Sequence, residues 1–404
     1  MGVSDSAVQA ATLATARSYD VEAFDVPSGR EEAWRFTPKS RFKPLFDDAP
    51  GSGRLELTST LPAGVTLTEV PTGQAQAAMA SAPIDRIAVL AAKHAPATTV
   101  ISVPKEAELA EPVLLDLHGT DGSAVAWGSI LIEVGAFAKA TVVLRHTGSA
   151  IYGAHVNLVV GDGASVDFVS VQNWADDAVH GAHVAALVGR DARLHGVVAT
   201  LNGDAVRLVS TVDYAGPGGD AELLGAYFVD AGQHAEHRIL VDHAVPNCRS
   251  NVVYKGALAG EKSHAVWIGD VIIRAEATGT DTYEVNRNLL LTDGARADSV
   301  PNLEIETGDV AGAGHAAASG RFDDEHMFYL QARGIPAPVA RRLVVRGFFA
   351  DVVRRIGSPP VERAVVQAID AELAGLDTGE DAATAQRYAV IFAEAGRTGE
   401  EDGA

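Results

Sequence analysis

A turn signal that returns at a nearly constant interval constrains this chain more than any other feature. Gly135-Ala136-Phe137-Ala138, Gly161-Asp162-Gly163-Ala164, Gly189-Arg190-Asp191-Ala192 and Gly218-Gly219-Asp220-Ala221 share a Gly-x-x-Ala form. Their last alanines stand 26, 28 and 29 residues apart, and Thr292-Asp293-Gly294-Ala295 is a fainter echo. A fixed period with one turn signal and short strands marks a stacked coil, in which each rung buries its apolar face against the next. Glycine is expected to supply the left-handed corner of each turn, and the small alanine to fit inside a narrow coil. The period is too long for a left-handed hexapeptide coil. The expected fold is therefore mainly β, a right-handed parallel β-helix core flanked by N-terminal and C-terminal helical regions. A β-sandwich with regular hairpins is the alternative that periodicity leaves open.

The strands between these turns alternate. Val206, Leu208, Ser210, Val212 and Tyr214 fall on one face and Arg207, Val209, Thr211 and Asp213 on the other, which predicts a strand with one buried face. On either side of this region the pattern changes. Residues 1–95 read as a helical and mixed N-terminal region, with a helix-compatible stretch from Ser6 to Ser18 and a loop from Pro44 to Gly53. Residues 96–318 form the β-helix core, and 319–404 a C-terminal helical region. There, acidic residues at 323–325 and Arg333-Gly334 bracket one helix. A second carries Val345, Phe348, Phe349, Val352, Val353 and Ile356 as an apolar stripe, with Arg341, Arg342, Arg346, Arg354 and Arg355 beside it. Two further helices are expected, at about 361–373 and 382–395.

Charge and sulfur content narrow the function. The formal net charge of −21 repels phosphate backbones and anionic bilayers, so nucleic acid and membrane are not expected partners. No basic-then-apolar start or spanning apolar run is visible, and the one cysteine, Cys248, fits a reducing, cytoplasmic setting. An iron–sulfur cluster takes about four protein ligands, mostly thiolates. A single sulfur cannot hold one. The sequence has no Walker motif, nucleophile elbow, Cys-x-x-Cys or His-Glu-x-x-His, so no enzyme activity of its own is expected.

Histidine is the remaining candidate for chemistry. His234 and Glu236 share a strand face while His237 points away, a poor ligand geometry that suggests a surface or turn role. His243, Cys248 and His264 would converge only if adjacent coils stack them. His315 stands alone in Val310-Ala311-Gly312-Ala313-Gly314-His315-Ala316-Ala317-Ala318, where no neighbour in sequence competes for the imidazole and a backbone this slim allows close approach.

Asn286-Arg287-Asn288-Leu289-Leu290-Leu291-Thr292-Asp293, Pro301-Asn302-Leu303-Glu304-Ile305, Gly314-His315-Ala316 and Phe328-Tyr329-Leu330-Gln331-Ala332-Arg333-Gly334 together resemble the SufB/SufD family of iron–sulfur cluster assembly proteins. Tyr254-Lys255-Gly256, residues 32–38 and Arg346-Gly347-Phe348-Phe349 belong to the same pattern. Ala316 after the histidine favours the SufD-type branch. Relatives of that type often carry cysteine two positions before the histidine, where this chain has Ala313. The resemblance implies a scaffold subunit that pairs through its β-helix with a SufB-type subunit. It also implies contact with a SufC-type ABC ATPase through the C-terminal helices, at Arg342, Val345, Arg346, Gly347, Phe348 and Phe349, and an indirect link to a cysteine desulfurase. It implies His315 as a ligand of iron or a transient Fe–S cluster shared with the SufB-type subunit. A β-helix lyase or esterase acting on carbohydrate is the alternative function.

Overall fold

The computed structural model describes residues 16–321 and 324–356, together with 362, 363, 366, 367, 369 and 370. The expected helix at 382–395, about half of the one at 361–373, and most of the Ser6–Ser18 stretch lie outside the described residues; residues 362, 363, 366, 367, 369 and 370 are helical, as expected. The elements begin with short helix α1 (Lys39–Phe42), strands β1 (Leu55–Thr60) and β2 (Thr66–Val70), and helices α2 (Thr72–Ala75) and α3 (Arg86–His94). Strand β3 (Thr98–Val103) leads into two long strands, β4 (Val113–Val134) and β5 (Lys139–Val160). Ten-residue strands follow: β6 (Ser165–Trp174), β7 (Val179–Val188), β8 (Arg193–Asn202), β9 (Ala205–Tyr214), β10 (Asp220–Val229), β11 (His234–His243), β12 (Arg249–Leu258) and β13 (His264–Ile273). The chain ends its stack with β14 (Thr280–Leu290), β15 (Arg296–Ile305) and β16 (Val310–Arg321), then helices α4 (Asp324–Gln331) and α5 (Ala337–Arg355).

The ladder runs β15-β13-β11-β9-β7-β5-β6-β8-β10-β12-β14-β16, and every pairing in it is parallel. From β6 onward consecutive strands therefore lie in different sheets, and each strand pairs with the one a full coil away. Parallel neighbours cannot be joined by a tight hairpin, so the chain crosses to the facing sheet and returns. This is a two-sheet parallel solenoid, and the sandwich alternative is excluded. The strands β4 and β5 run through both sheets before the regular coils begin. The first strands seal the start of the stack: β1 pairs antiparallel with β4, and β2 with β3.

Ala138, Ala164, Ala192 and Ala221 are buried in the lumen, as the small residue in each turn suggested. The turn glycine does the expected job in part, since Gly163, Gly218 and, in the fainter echo, Gly294 take the left-handed corner at φ of 66°, 80° and 82°. In the first three turns the left-handed residue is the third, Phe137, Gly163 and Asp191, at φ of 59°, 66° and 51°. Gly161 and Gly189 are needed for space: a Cβ there would stand 2.6 Å from the Ala136 nitrogen and 2.8 Å from the Asp162 nitrogen of the rung below. Stacked turns touch backbone to backbone, and only a missing side chain permits it.

The lumen is filled by alternate residues of both sheets, including Val142, Leu144, Val156, Leu158, Phe168, Leu208, Val241 and Val271. Large rings are accommodated by staggering. Tyr254 lies beside Gly225, and Tyr227 beside Gly256, its register partner on the adjacent strand.

Both sheets are also covered outside. The strand β9 was expected to bury one face, yet Arg207, Val209 and Thr211 are buried as well. The reason is the N-terminal region, which lays Trp34, Phe42, Leu45, Ile87 and Leu90 over the sheet containing β7 and β9. Asp85 both caps α3, accepting from the Ala88 amide at 2.9 Å, and pairs with Arg207 at 2.6 Å. On the other sheet α5 places Val345, Phe349, Val352, Val353 and Ile356 against Val169, Val197, Leu224, Phe228 and Val253.

Candidate functional site at the open end of the coil

Among the described residues, strands β15 and β16 are the last of their sheets, each paired on one side only. An unpaired strand offers a row of backbone donors and acceptors to another chain. His315 lies on β16 in register with Glu284 of β14, so the two side chains stack on the same face, the one that lines the lumen. The His315 side chain is 43% exposed while that of Glu284 is 1% exposed, and His315 Nδ1 stands 3.9 Å from Glu284 Oε1. The imidazole thus sits at the mouth of the coil with a carboxyl directly beneath it.

The lumen changes character at this end. Thr282, Glu284, Asn286 and Asn288 face inward from β14 and are all buried. The neighbours of Glu284 are satisfied. Ser250 and Thr282 share a hydroxyl bond of 2.6 Å, Asn286 donates to Tyr227 Oη at 3.0 Å, and Asn288 donates to Ser299 at 3.0 Å. Neither carboxyl oxygen of Glu284 completes a hydrogen bond among the described residues. Burial, reinforced by the charge of Asp270, pushes this carboxyl up to about 8 against a smaller opposing pull from the Asn302 backbone amide. An ionised carboxylate held here without a partner would cost several kcal/mol, at an order-of-magnitude level. Gly269, across the lumen, leaves the room it occupies, since a Cβ there would lie 2.3 Å from Glu284 Oε2.

The other sequence candidates are structural. Glu236 is not at a surface or turn. It is fully buried, 2.6 Å from Arg238 Nε, 3.3 Å from Arg207 Nε and 3.3 Å from His234 Nε2, and it accepts from the Thr37 hydroxyl at 2.7 Å. Burial alone would raise this carboxyl; the His234 hydrogen bond and the two guanidinium charges outweigh it and hold the group well below the usual range. His237 does point the other way, into the lumen, 5.1 Å from the Tyr227 ring. His243, Cys248 and His264 keep separate partners: Ser250, the Gly216 carbonyl, and Asp298 respectively. Burial pushes the Cys248 thiol up, away from the thiolate a metal requires. No group of three or more His, Cys, Asp or Glu suited to a metal occurs among the described residues. No helix among them is long and apolar enough to cross a membrane.

The α5 residues divide. Val345 and Phe349 are buried against the solenoid, so they hold the helix in place. Phe348 is half-buried, and its carbonyl accepts from Lys255 Nζ at 2.8 Å. Arg346 pairs with Asp370 at 2.7 Å, Arg342 is half-buried, and Gly347 and Arg354 are exposed. A hollow of about 220 Å³ lies between Arg346, Phe349, Val353, Arg354, Val366 and Ile369.

Sequence reasoning missed Glu284. It precedes His315 by 31 residues, one coil at this end, and the period of 26 to 29 read from the turns falls short of it, so the register became visible only in the folded stack. The pair supplies one imidazole and one carboxyl. Both are ligands suited to iron, and the thiol of Cys248 is held elsewhere, against the Gly216 carbonyl.

Residues 117–348 match the family described as "SUF system FeS cluster assembly, SufBD core domain". An "iron-sulfur cluster assembly SufBD family protein" of Mycobacterium bovis is 49% identical over 363 residues, covering 88% of this chain and 91% of the relative. A protein of the same description from Mycobacterium leprae is 48% identical, with 88% and 93% covered. The "iron-sulfur cluster assembly protein SufD" of Bacillus subtilis is 27% identical over 66% of this chain and 62% of its own length. With its family match across the solenoid and close relatives covering nearly the whole chain, this protein belongs to the SufBD family of iron–sulfur cluster assembly proteins.

Proposed function

We propose that the chain is a non-catalytic scaffold subunit of an assembly complex, pairing its open end with a SufB-type subunit and presenting His315 to iron or a nascent cluster at that seam. The observation that carries this reading is the position of His315: half exposed, on the terminal rung, beside strand edges that a second solenoid can continue. The single buried thiol supports it, because the remaining cluster ligands must then be the partner's. ATP-driven movement would come from a SufC-type ATPase docked on α5, through Gly347, Arg354, Arg342 and the Arg346 side of the hollow, while Val345 and Phe349 keep the helix seated on the solenoid. A carbohydrate lyase or esterase would need a cleft along a sheet, and here both outer sheet faces are covered.

The test is His315→Ala in the assembled complex. Co-purification with the SufB-type subunit and the ATPase is expected to persist, and maturation of an iron–sulfur reporter enzyme in cells lacking the native subunit is expected to fall to background. Undiminished maturation with the variant overturns the role of His315.

A further inference from the structure

We infer that Glu284 is the second protein ligand of the His315 site, so that the mouth of the coil carries a carboxylate–imidazole pair for ferrous iron. This deepens the preceding reading and rests on its assignment of His315.

Three observations converge on the carboxyl. It is 1% exposed, neither oxygen completes a hydrogen bond among the described residues, the Asn302 backbone amide exerting only a weak pull, and it lies in the lumen row directly below the imidazole. Its companions in that row, Thr282, Asn286 and Asn288, are each satisfied by protein groups. A satisfied row with one unsatisfied acidic member points to a missing cation, since a fold that needed only a polar filler would be served by another Asn. The 3.9 Å between His315 Nδ1 and Glu284 Oε1 is too long for a hydrogen bond. It is shorter than the roughly 4.2 Å that two ligands, each at about 2.1 Å from one first-row ion, can span. The carboxyl is backed by Gly269 and the Trp267 ring. A hard carboxylate and a borderline imidazole suit iron(II) better than a softer ion, and leave further positions for ligands from a partner or for sulfide.

The experiment is anaerobic titration of the full chain with Fe²⁺ against a chromophoric chelator, for the wild type, Glu284→Gln, Glu284→Asp and His315→Ala. Gln keeps the shape and removes the charge; Asp keeps the charge. Far-UV circular dichroism and melting temperature establish that each variant is folded. One Fe²⁺ per wild-type chain is expected, weakened at least tenfold by Glu284→Gln and by His315→Ala, and by no more than a few-fold in Glu284→Asp. Unchanged affinity in Glu284→Gln alongside loss in His315→Ala overturns the carboxylate ligand and leaves the histidine reading standing. Unchanged affinity in His315→Ala, or no iron bound by the wild type, overturns the pair.

Discussion

Charges inside this protein are held in two opposite ways. Glu236 sits among Arg207, Arg238 and His234, and its charge is fully compensated. Glu284 is equally buried and has no such company. The first arrangement is structural. Glu236→Ala leaves two buried guanidinium groups facing each other, and is expected to destabilise the fold by about 3–5 kcal/mol in urea unfolding. A loss under about 1 kcal/mol would mean that the cluster is solvated and contributes little. Residue-level reading from sequence handled these two unequally. The alternation of β11 correctly separated His234 and Glu236 from His237, because strand period is local. The burial of Glu236 was illegible, since it depends on Asp85 and Thr37, which lie more than a hundred residues away and arrive only when the N-terminal region folds over the sheet.

At the level of elements, α5 works as a clamp with two sides. Its apolar stripe was plain in the sequence at helical spacing, but periodicity cannot say what a stripe meets. The outer face of β8, β10 and β12 answers that, with Phe349 fully buried over it. Phe349→Ala is therefore expected to cost about 3–5 kcal/mol locally and to loosen the helix, seen as faster amide exchange across 337–355. Arg354→Glu changes only the exposed side. It is expected to reduce recovery of the proposed SufC-type ATPase partner on co-purification while leaving amide exchange as in the wild type. Equal recovery with Arg354→Glu would place the ATPase contact elsewhere. The turn motif teaches a related lesson. Its period revealed the solenoid because every rung repeats one backbone path. The reason for Gly161 and Gly189 became visible only with the rungs stacked, because the contact that excludes a Cβ comes from the turn one coil below.

For the molecule as a whole, buried histidines govern the response to acid. Burial lowers His146, His155 and His243 to about 4 and His237 to about 3, and holds His180 and His183 well below their ordinary value. Each is neutral in the fold and takes up a proton once unfolded below about pH 6.5. Stability is thus complete above that pH and declines as pH falls toward 4, by up to about 1.4 kcal/mol per pH unit for each such group. Asp270 and Glu284, raised to about 6 and about 8, act in the opposite sense over part of the range, but they are outnumbered. The urea midpoint is expected to drop markedly between pH 7.5 and 5.5; a flat profile would show that these rings are hydrated.

The last two strands carry a further consequence. Hydrogen bonding that every inner rung obtains from its neighbours is left half finished at β15 and β16. Water can fill the gap, and so can any extended peptide that arrives first. If that end is closed by a second solenoid, as proposed, a cell making this polypeptide in excess would accumulate orphans prone to clump, and its solubility would be tied to matched synthesis of the two.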